Sequence, residues 1–150
     1  MMHKQAKVQR KHLDSGLTLV TQRIENAPVV AMQIWFHVGG FDELQDERGL
    51  AHLHEHMLFK GTPTRGVGQI AAEIEACGGQ INAWTSHDQT VYHAVTPSHA
   101  WRSGLEVLAD AACHSLFDSG ELEREIEVVV EEIKRAEDHP GRRSYRRLFE

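Results

Sequence analysis

The chain has few of the features that mark a secreted, membrane-bound or nucleic-acid-binding protein. It has only two cysteines, Cys77 and Cys113, which have no metal-type spacing, so we expect free buried thiols. No apolar run is long enough to span a bilayer, and the start of the chain lacks the apolar segment of a signal peptide. The net charge of -6 argues against nonspecific nucleic-acid binding. These absences predict a cytoplasmic protein whose partner is a polypeptide or a small molecule.

What is present fits a globular domain. At 150 residues the chain has the size of one domain and can bury about two thirds of its unfolded surface. Hydrophobic residues make up 41% of it and charged residues 25%, so a normal core and a normal surface are expected. Eleven histidines are many for this length, and they become informative where they cluster.

The hydrophobic pattern predicts an α+β fold, with an antiparallel-rich sheet and helices packed on one of its faces. Alternating segments predict strands at 8–13, 17–24, 29–38, 80–86 and 89–96, and turn residues at 14–16 and 87–88 predict two hairpins. Helical spacing predicts helices at 46–59, 68–77, 98–116 and 120–138. The basic stretch from Arg142 to Arg147 is expected to be solvated helix charge or a docking face.

The segment His-Leu-His-Glu-His at 52–56 predicts a metal site on a helix. On a helix His52 and His56 lie one turn apart on the same face, and Glu55 points close by. A strand would instead align His52, His54 and His56, but the neighbouring leucine, alanine and methionine residues favour a helix. His54 then faces away as a packing or surface residue.

A catalytic zinc ion needs a third protein ligand, and the helix predicted at 120–138 is the richest place to look for it. At about 100° per residue its apolar residues form one stripe that is expected to face the core: Leu122, Ile126, Val129, Val130 and Ile133. Glu125 and Glu132 lie at the border of the stripe, whereas Glu131 points nearly opposite. Glu132 is therefore the better ligand candidate, with Glu125 beside it. The alternative is that both are solvated carboxylates of an acidic helix.

The segment GLAHLHEHMLFKGT at 49–62 resembles the active-site helix of the pitrilysin-type zinc peptidases, whose inverted motif is His-x-x-Glu-His. The segment GGQINAWT at 78–85 resembles the family's substrate-binding edge strand, and residues 125–133 resemble its third-ligand helix. The resemblance implies these roles: zinc ligands His52, His56 and Glu132, general base Glu55, supporting residue Glu125, and substrate-binding residues Asn82 and Ala83. Without it, Asn82 would be expected only to satisfy a turn.

The resemblance also implies a function, a zinc-dependent endopeptidase that hydrolyses extended peptides or unfolded segments. Family members are much longer and use a second homologous domain or subunit, so we expect residues 1–150 to be the N-terminal portion of a longer catalytic domain. One alternative is a zinc-stabilised, non-catalytic half that binds peptide or a partner subunit, and another is a metal hydrolase for a small molecule. Nitrogen and oxygen ligands also accept divalent ions other than zinc.

Overall fold

The computed structural model describes residues 7–138 and residue 141. The expectations for the start of the chain and for Arg142 to Arg147 lie outside the described residues. The elements follow each other in this order: β1 (Val8–His12), β2 (Thr18–Gln22), β3 (Val29–Phe36), α1 (Leu50–Met57), α2 (Gln69–Ala76), β4 (Gln80–Thr85), β5 (Thr90–Pro97), α3 (Trp101–His114) and α4 (Ser119–Asp138). Every predicted strand and helix is present; most are shorter than predicted, whereas β5 keeps its predicted length and α4 begins one residue earlier than predicted.

The described residues form two antiparallel sheets. β1 and β2 make an exposed two-stranded hairpin, and the other three strands form a sheet in the order β3-β5-β4. In that sheet Ile34 pairs with Tyr92, which pairs with Ala83 on its other side. β5 is therefore the central strand, and β4 forms one edge. The predicted α+β class is confirmed.

The core lies between one face of the three-stranded sheet and the helices. Side chains alternate along a strand, so Met32, Tyr92 and Ala94 share the face that α2 and α3 cover. The helices contribute buried Ile70, Ile74, Val107, Leu108 and Ala111. Burying a large apolar side chain stabilises the fold by about 1.5–3 kcal/mol, so this cluster anchors the helices to the sheet.

Helix α1 begins at Leu50, four residues after the predicted start at Asp46. Gly49 has φ 100°, a left-handed conformation that interrupts the helix and favours glycine. The Glu43 carboxylate accepts hydrogen bonds from the backbone N–H groups of Gly49 and Ala51 at 2.8 and 2.7 Å. A side chain well upstream in the sequence thus caps the helix that carries the histidine motif.

The prediction for the apolar stripe of α4 is wrong in part. Val129 is buried, but Ile126, Val130 and Ile133 are 44%, 42% and 38% exposed. The helix packs against α1 through the border of the stripe, where Glu125 also lies buried, and the rest of the stripe is turned outwards. Within the described part of the chain, no helix combines the length and the apolar character needed to cross a membrane.

The expected burial of the thiols is also wrong. Both cysteines are free, but Cys77 is half-buried and Cys113 is exposed. Cys113 is on the part of α3 that turns away from the sheet, next to the core residues Ala111 and Ala112. Its helical phase, which places neighbouring residues about 100° apart, explains why it does not share their environment.

Candidate metal centre

Three side chains from two helices converge on one point. His52 Nε2 and His56 Nε2 are 3.3 Å apart, and Glu132 Oε2 is 3.5 Å from the first and 3.8 Å from the second. Ligand atoms at about 2.0–2.2 Å from a tetrahedral zinc ion stand about 3.4 Å from one another. The spacing and the two-nitrogen, one-oxygen donor set therefore fit a zinc ion, and Glu132, 46% exposed, leaves the site open on one side.

The connection between α3 and α4 brings Glu132 to α1. Ser115 Oγ donates to the Met57 carbonyl at 3.1 Å, and the Leu116 N–H donates to the Gly61 carbonyl at 3.0 Å. Asp118 Oδ1 then accepts the N–H groups of Gly120 and Glu121, at 2.9 and 3.0 Å, and caps α4. The end of α1 and the start of α4 are thereby joined, and three to four turns later α4 delivers Glu132 to the histidines.

Behind the cluster, His56 is held by a buried carboxylate. His56 Nδ1 lies 2.9 Å from Glu125 Oε2, and Lys60 Nζ lies 2.5 Å from Glu125 Oε1. Burial by itself would raise the pKa of Glu125, but the hydrogen bonds from Lys60 and His56 outweigh it and lower that pKa. A carboxylate in this position fixes the imidazole so that Nε2 faces the other ligand atoms.

Glu55 is held from the sheet. Thr85, the last residue of β4, donates its hydroxyl to Glu55 Oε2 at 2.5 Å. Nearby Tyr92 is buried at the centre of the sheet, and burial, followed by the negative charge of Glu55, raises its pKa. Glu55 is thus oriented by the edge strand, while His52 and His56 on the same helix are oriented towards α4.

Every second backbone amide of the edge strand points away from the sheet, and the amide of Ala83 is among them. Ser86 N–H donates to Gln89 O at the hairpin end, and antiparallel partners alternate between bonded and non-bonded pairs, so Ala83 points its N–H to the open edge. There the Asn82 side-chain oxygen accepts that N–H at 2.8 Å. Asn82 therefore lies within the edge strand β4 and not in a turn, so the simpler expectation that it only satisfies a turn is wrong.

His54 and Glu131 point away from the site formed by His52, His56 and Glu132, as their helix phase predicts. His54 Nδ1 lies 3.2 Å from the Tyr92 hydroxyl, its ring packs on Phe117, and burial lowers its pKa. Glu131 accepts a hydrogen bond from Lys134 at 2.7 Å. Neither belongs to the group of side chains that converge.

Sequence reasoning missed Lys60, Thr85 and Glu43. Lys60 follows His56 by four residues, a spacing that indicates a shared helix face but does not indicate its partner Glu125. Thr85 and Glu43 reach the motif from 30 and 8 residues away, through the register of β4 and the path of a loop. No local spacing in the sequence indicates these two contacts.

Comparison with known proteins decides the family. The model of the insulinase family, peptidase family M16, matches residues 18–149. The chain belongs to the M16 peptidase family. The resemblance to pitrilysin-type peptidases is thereby confirmed, and pitrilysin itself superimposes with a TM-score of 0.83 at 26% identity, covering 93% of this chain and 15% of pitrilysin.

Other M16 relatives include bacterial and mitochondrial proteins. An uncharacterized zinc protease of Bacillus subtilis is 40% identical over 134 residues, which are 89% of this chain and 32% of the relative. A probable mitochondrial-processing peptidase subunit beta of Arabidopsis thaliana is 36% identical over 125 residues, 83% of this chain and 24% of the relative. The chain thus spans about a third or less of the length of these curated relatives.

Proposed function

We propose that this chain is the zinc-binding N-terminal portion of a metalloendopeptidase that cleaves extended peptides or unfolded segments. The observation that carries the proposal is the convergence of His52, His56 and Glu132 at the spacing of tetrahedral zinc ligands, with Glu55 on the same helix as the histidines. Nitrogen and carboxylate donors suit zinc, and they also suit related divalent ions.

The reaction that we propose is hydrolysis without a covalent intermediate. When bound, zinc supplies Lewis acidity, which polarises a scissile carbonyl and lowers the pKa of a water. Glu55 accepts the proton of the attacking water and later returns it to the leaving amine. Thr85 keeps the Glu55 carboxylate in place for both transfers, and Glu125 orients His56.

We propose that substrate adds to the sheet as a strand beside β4. A substrate carbonyl takes the place of the Asn82 oxygen on the Ala83 N–H, and the Asn82 amide is released to bind substrate. Backbone pairing of this kind selects for an extended conformation more than for particular side chains. A preference for extended, unfolded segments is therefore part of the proposal.

The whole protease is proposed to need more than residues 1–150. Ile126, Val130 and Ile133 on α4 are exposed, which suits contact with further protein, and the Arabidopsis relative is named as one subunit of a peptidase. We propose a second homologous domain or subunit as the partner. The free thiols of Cys77 and Cys113 suit a reducing compartment, and we propose the cytoplasm.

Replacing Glu55 by glutamine tests the peptidase function. The variant is expected to retain bound zinc and to lose cleavage of an extended peptide by about 100-fold or more, because the proton acceptor is removed. Zinc content is measured by metal analysis. Cleavage is measured with a fluorogenic peptide, using the form of the protein in which the wild type cleaves that peptide. The control is Glu123→Gln, at an exposed position of α4. Turnover retained by Glu55→Gln would contradict the assignment.

The alternative is a zinc-stabilised half that binds peptide without cleaving it. The exposed apolar residues Ile126, Val130 and Ile133 of α4, which suit contact with a partner subunit, favour this candidate as the second one. Peptide cleavage by the 150-residue chain alone, abolished in Glu55→Gln, would exclude it. Peptide binding without cleavage, both alone and with the remaining part of the protease, would support it.

A further inference from the structure

Lys60 stands behind the metal centre in a position that the sequence motif does not explain. Its backbone N–H donates to the Met57 carbonyl at 3.0 Å, so the chain still turns helically after α1 ends. Its ammonium group lies 2.5 Å from Glu125 Oε1, and the Lys60 side chain is 25% exposed. A lysine that is mostly covered and paired with a buried carboxylate is uncommon on a protein surface.

Each oxygen of the Glu125 carboxylate has one polar partner. Oε1 accepts from Lys60, and Oε2 lies 2.9 Å from His56 Nδ1. The Glu125 side chain is 9% exposed, so water has little access to replace either partner. Removing the lysine would leave Oε1 buried without its donor, and the carboxylate would rotate or shift away from His56.

The backbone that follows Lys60 is fixed by contacts that do not involve the metal ligands. Gly61 O accepts the Leu116 N–H at 3.0 Å, and buried Thr62 donates its hydroxyl to Asp110 at 2.6 Å. Arg65 donates to the same carboxylate at 2.6 Å. These contacts hold the loop after α1 in place, so the Lys60 side chain can serve as a fixed point.

We propose that Lys60 is a positioning residue that holds Glu125 against His56 Nδ1, so that His56 presents Nε2 to the metal before the metal arrives. This inference rests on the proposed zinc site and extends it by one residue. Lys60 does not touch the ligand atoms, and its effect passes through Glu125. It preorganises the site and lowers the cost of ordering the ligands when zinc binds.

The test measures zinc affinity of the 150-residue chain by competition with a chromophoric chelator. Lys60→Met is expected to raise the zinc Kd by about 10- to 100-fold, the range for loss of a contact that supports a metal ligand. Lys60→Arg keeps a charged donor and is expected to restore most of the affinity. The matched control is Lys134→Met, which removes a lysine paired with exposed Glu131 and is expected to leave Kd unchanged.

A second readout does not depend on a stable variant. In the metal-free wild-type chain, long-range ¹H–¹⁵N spectra are expected to report His56 as one tautomer, protonated on Nδ1, and to report a Lys60 ammonium resonance in slow exchange with water. Lys60→Met is expected to give mixed His56 tautomers. A wild-type spectrum with mixed tautomers and a freely exchanging Lys60 would overturn the proposal.

Different results would refute the zinc site and the role of Lys60. Equal zinc Kd for wild type and Glu132→Ala would refute the zinc site itself. Zinc binding that depends on Glu132 but is the same in wild type and Lys60→Met would refute the role of Lys60 alone. A loss of affinity in Lys60→Met that is equally large in Lys60→Arg, with both variants folded by circular dichroism, would also refute it, because a charged donor at position 60 would then make no difference.

Discussion

At the residue scale, helical spacing predicts that His52 and His56 share one face of α1 and that Glu55 lies close by. The contacts that hold these side chains come from residues distant in the sequence. His52 and His56 share a helix face because they are four residues apart. Lys60 and Thr85 hold Glu125 and Glu55, and neither role follows from spacing within the motif. The position of the Lys60 ammonium group depends on the turn after α1, and that of the Thr85 hydroxyl depends on the register of β4. Both are set only in the folded chain.

Thr85→Val is expected to lower kcat/KM for an extended peptide by about tenfold or more and to leave zinc content unchanged. The valine has the same shape but cannot donate to Glu55, and a hydrogen bond to a charged group contributes about 1.5–3 kcal/mol. The measurement is steady-state cleavage by the form of the protein that turns over. Thr85→Ser keeps the hydroxyl and serves as the control. Equal activity of the two variants would contradict a role for Thr85 in orienting the base.

At the element scale, strand and helix types are predicted well and the packing of α4 is not. The strands and the helix around the motif follow from local alternation and local spacing. Helix phase favours Glu132 over Glu131, and in the structure Glu132 is the one of the two that lies beside the histidines. Helix phase fails for Ile126 and Val130, because a helix can pack through the border of an apolar stripe, and pattern alone does not indicate which neighbour it meets.

The loop that joins α1 to α2 depends on one carboxylate. Asp110 on α3 accepts hydrogen bonds from Thr62, Arg65 and Thr64, and His114 binds its other oxygen. The hydrogen bond from Thr62 is the largest cause that lowers the pKa of Asp110, and those from Arg65, Thr64 and His114 act in the same direction. The network holds the loop beside Lys60.

Asp110→Asn is expected to lower the melting temperature at neutral pH, with a difference that narrows in acid. A carboxylate whose folded pKa lies below its unfolded value contributes stability above the unfolded value, near pH about 4, and loses it as pH falls towards the folded value. Thermal unfolding of both proteins between neutral and acidic pH gives the comparison. Asp46→Asn, at an exposed position, is the control. A difference independent of pH would contradict the ionic role of Asp110.

At the scale of the whole molecule, zinc is expected to stabilise the fold because its ligands come from α1 and α4. At a free zinc concentration about 100 times Kd, linkage adds about 2.7 kcal/mol, which for a chain of this size raises Tm by about 5–10 °C. Differential scanning fluorimetry with zinc and with chelator measures the shift. His52→Ala is expected to lose most of it. A full shift in that variant would place the stabilising zinc elsewhere.

The hydrophobic pattern of the sequence predicts the fold class of the domain but not which apolar surfaces are buried. The α+β class and the one-sided helices are predicted from the order of strands and helices. The hydrophobic pattern predicts that the apolar face of α4 lies in the core, whereas in the structure that face is exposed and suits contact with further protein. Where partners lie beyond the described residues, hydrophobic pattern cannot distinguish a core from an interface.

The most direct measurement is anomalous diffraction at the zinc edge from crystals of the zinc-loaded chain. We predict one strong peak at about 2.0–2.2 Å from His52 Nε2, His56 Nε2 and a Glu132 oxygen. The same data collected above and below the edge separate zinc from other ions. A peak bound instead by Glu131 or Glu125, or none at the three side chains, would contradict the proposed metal centre.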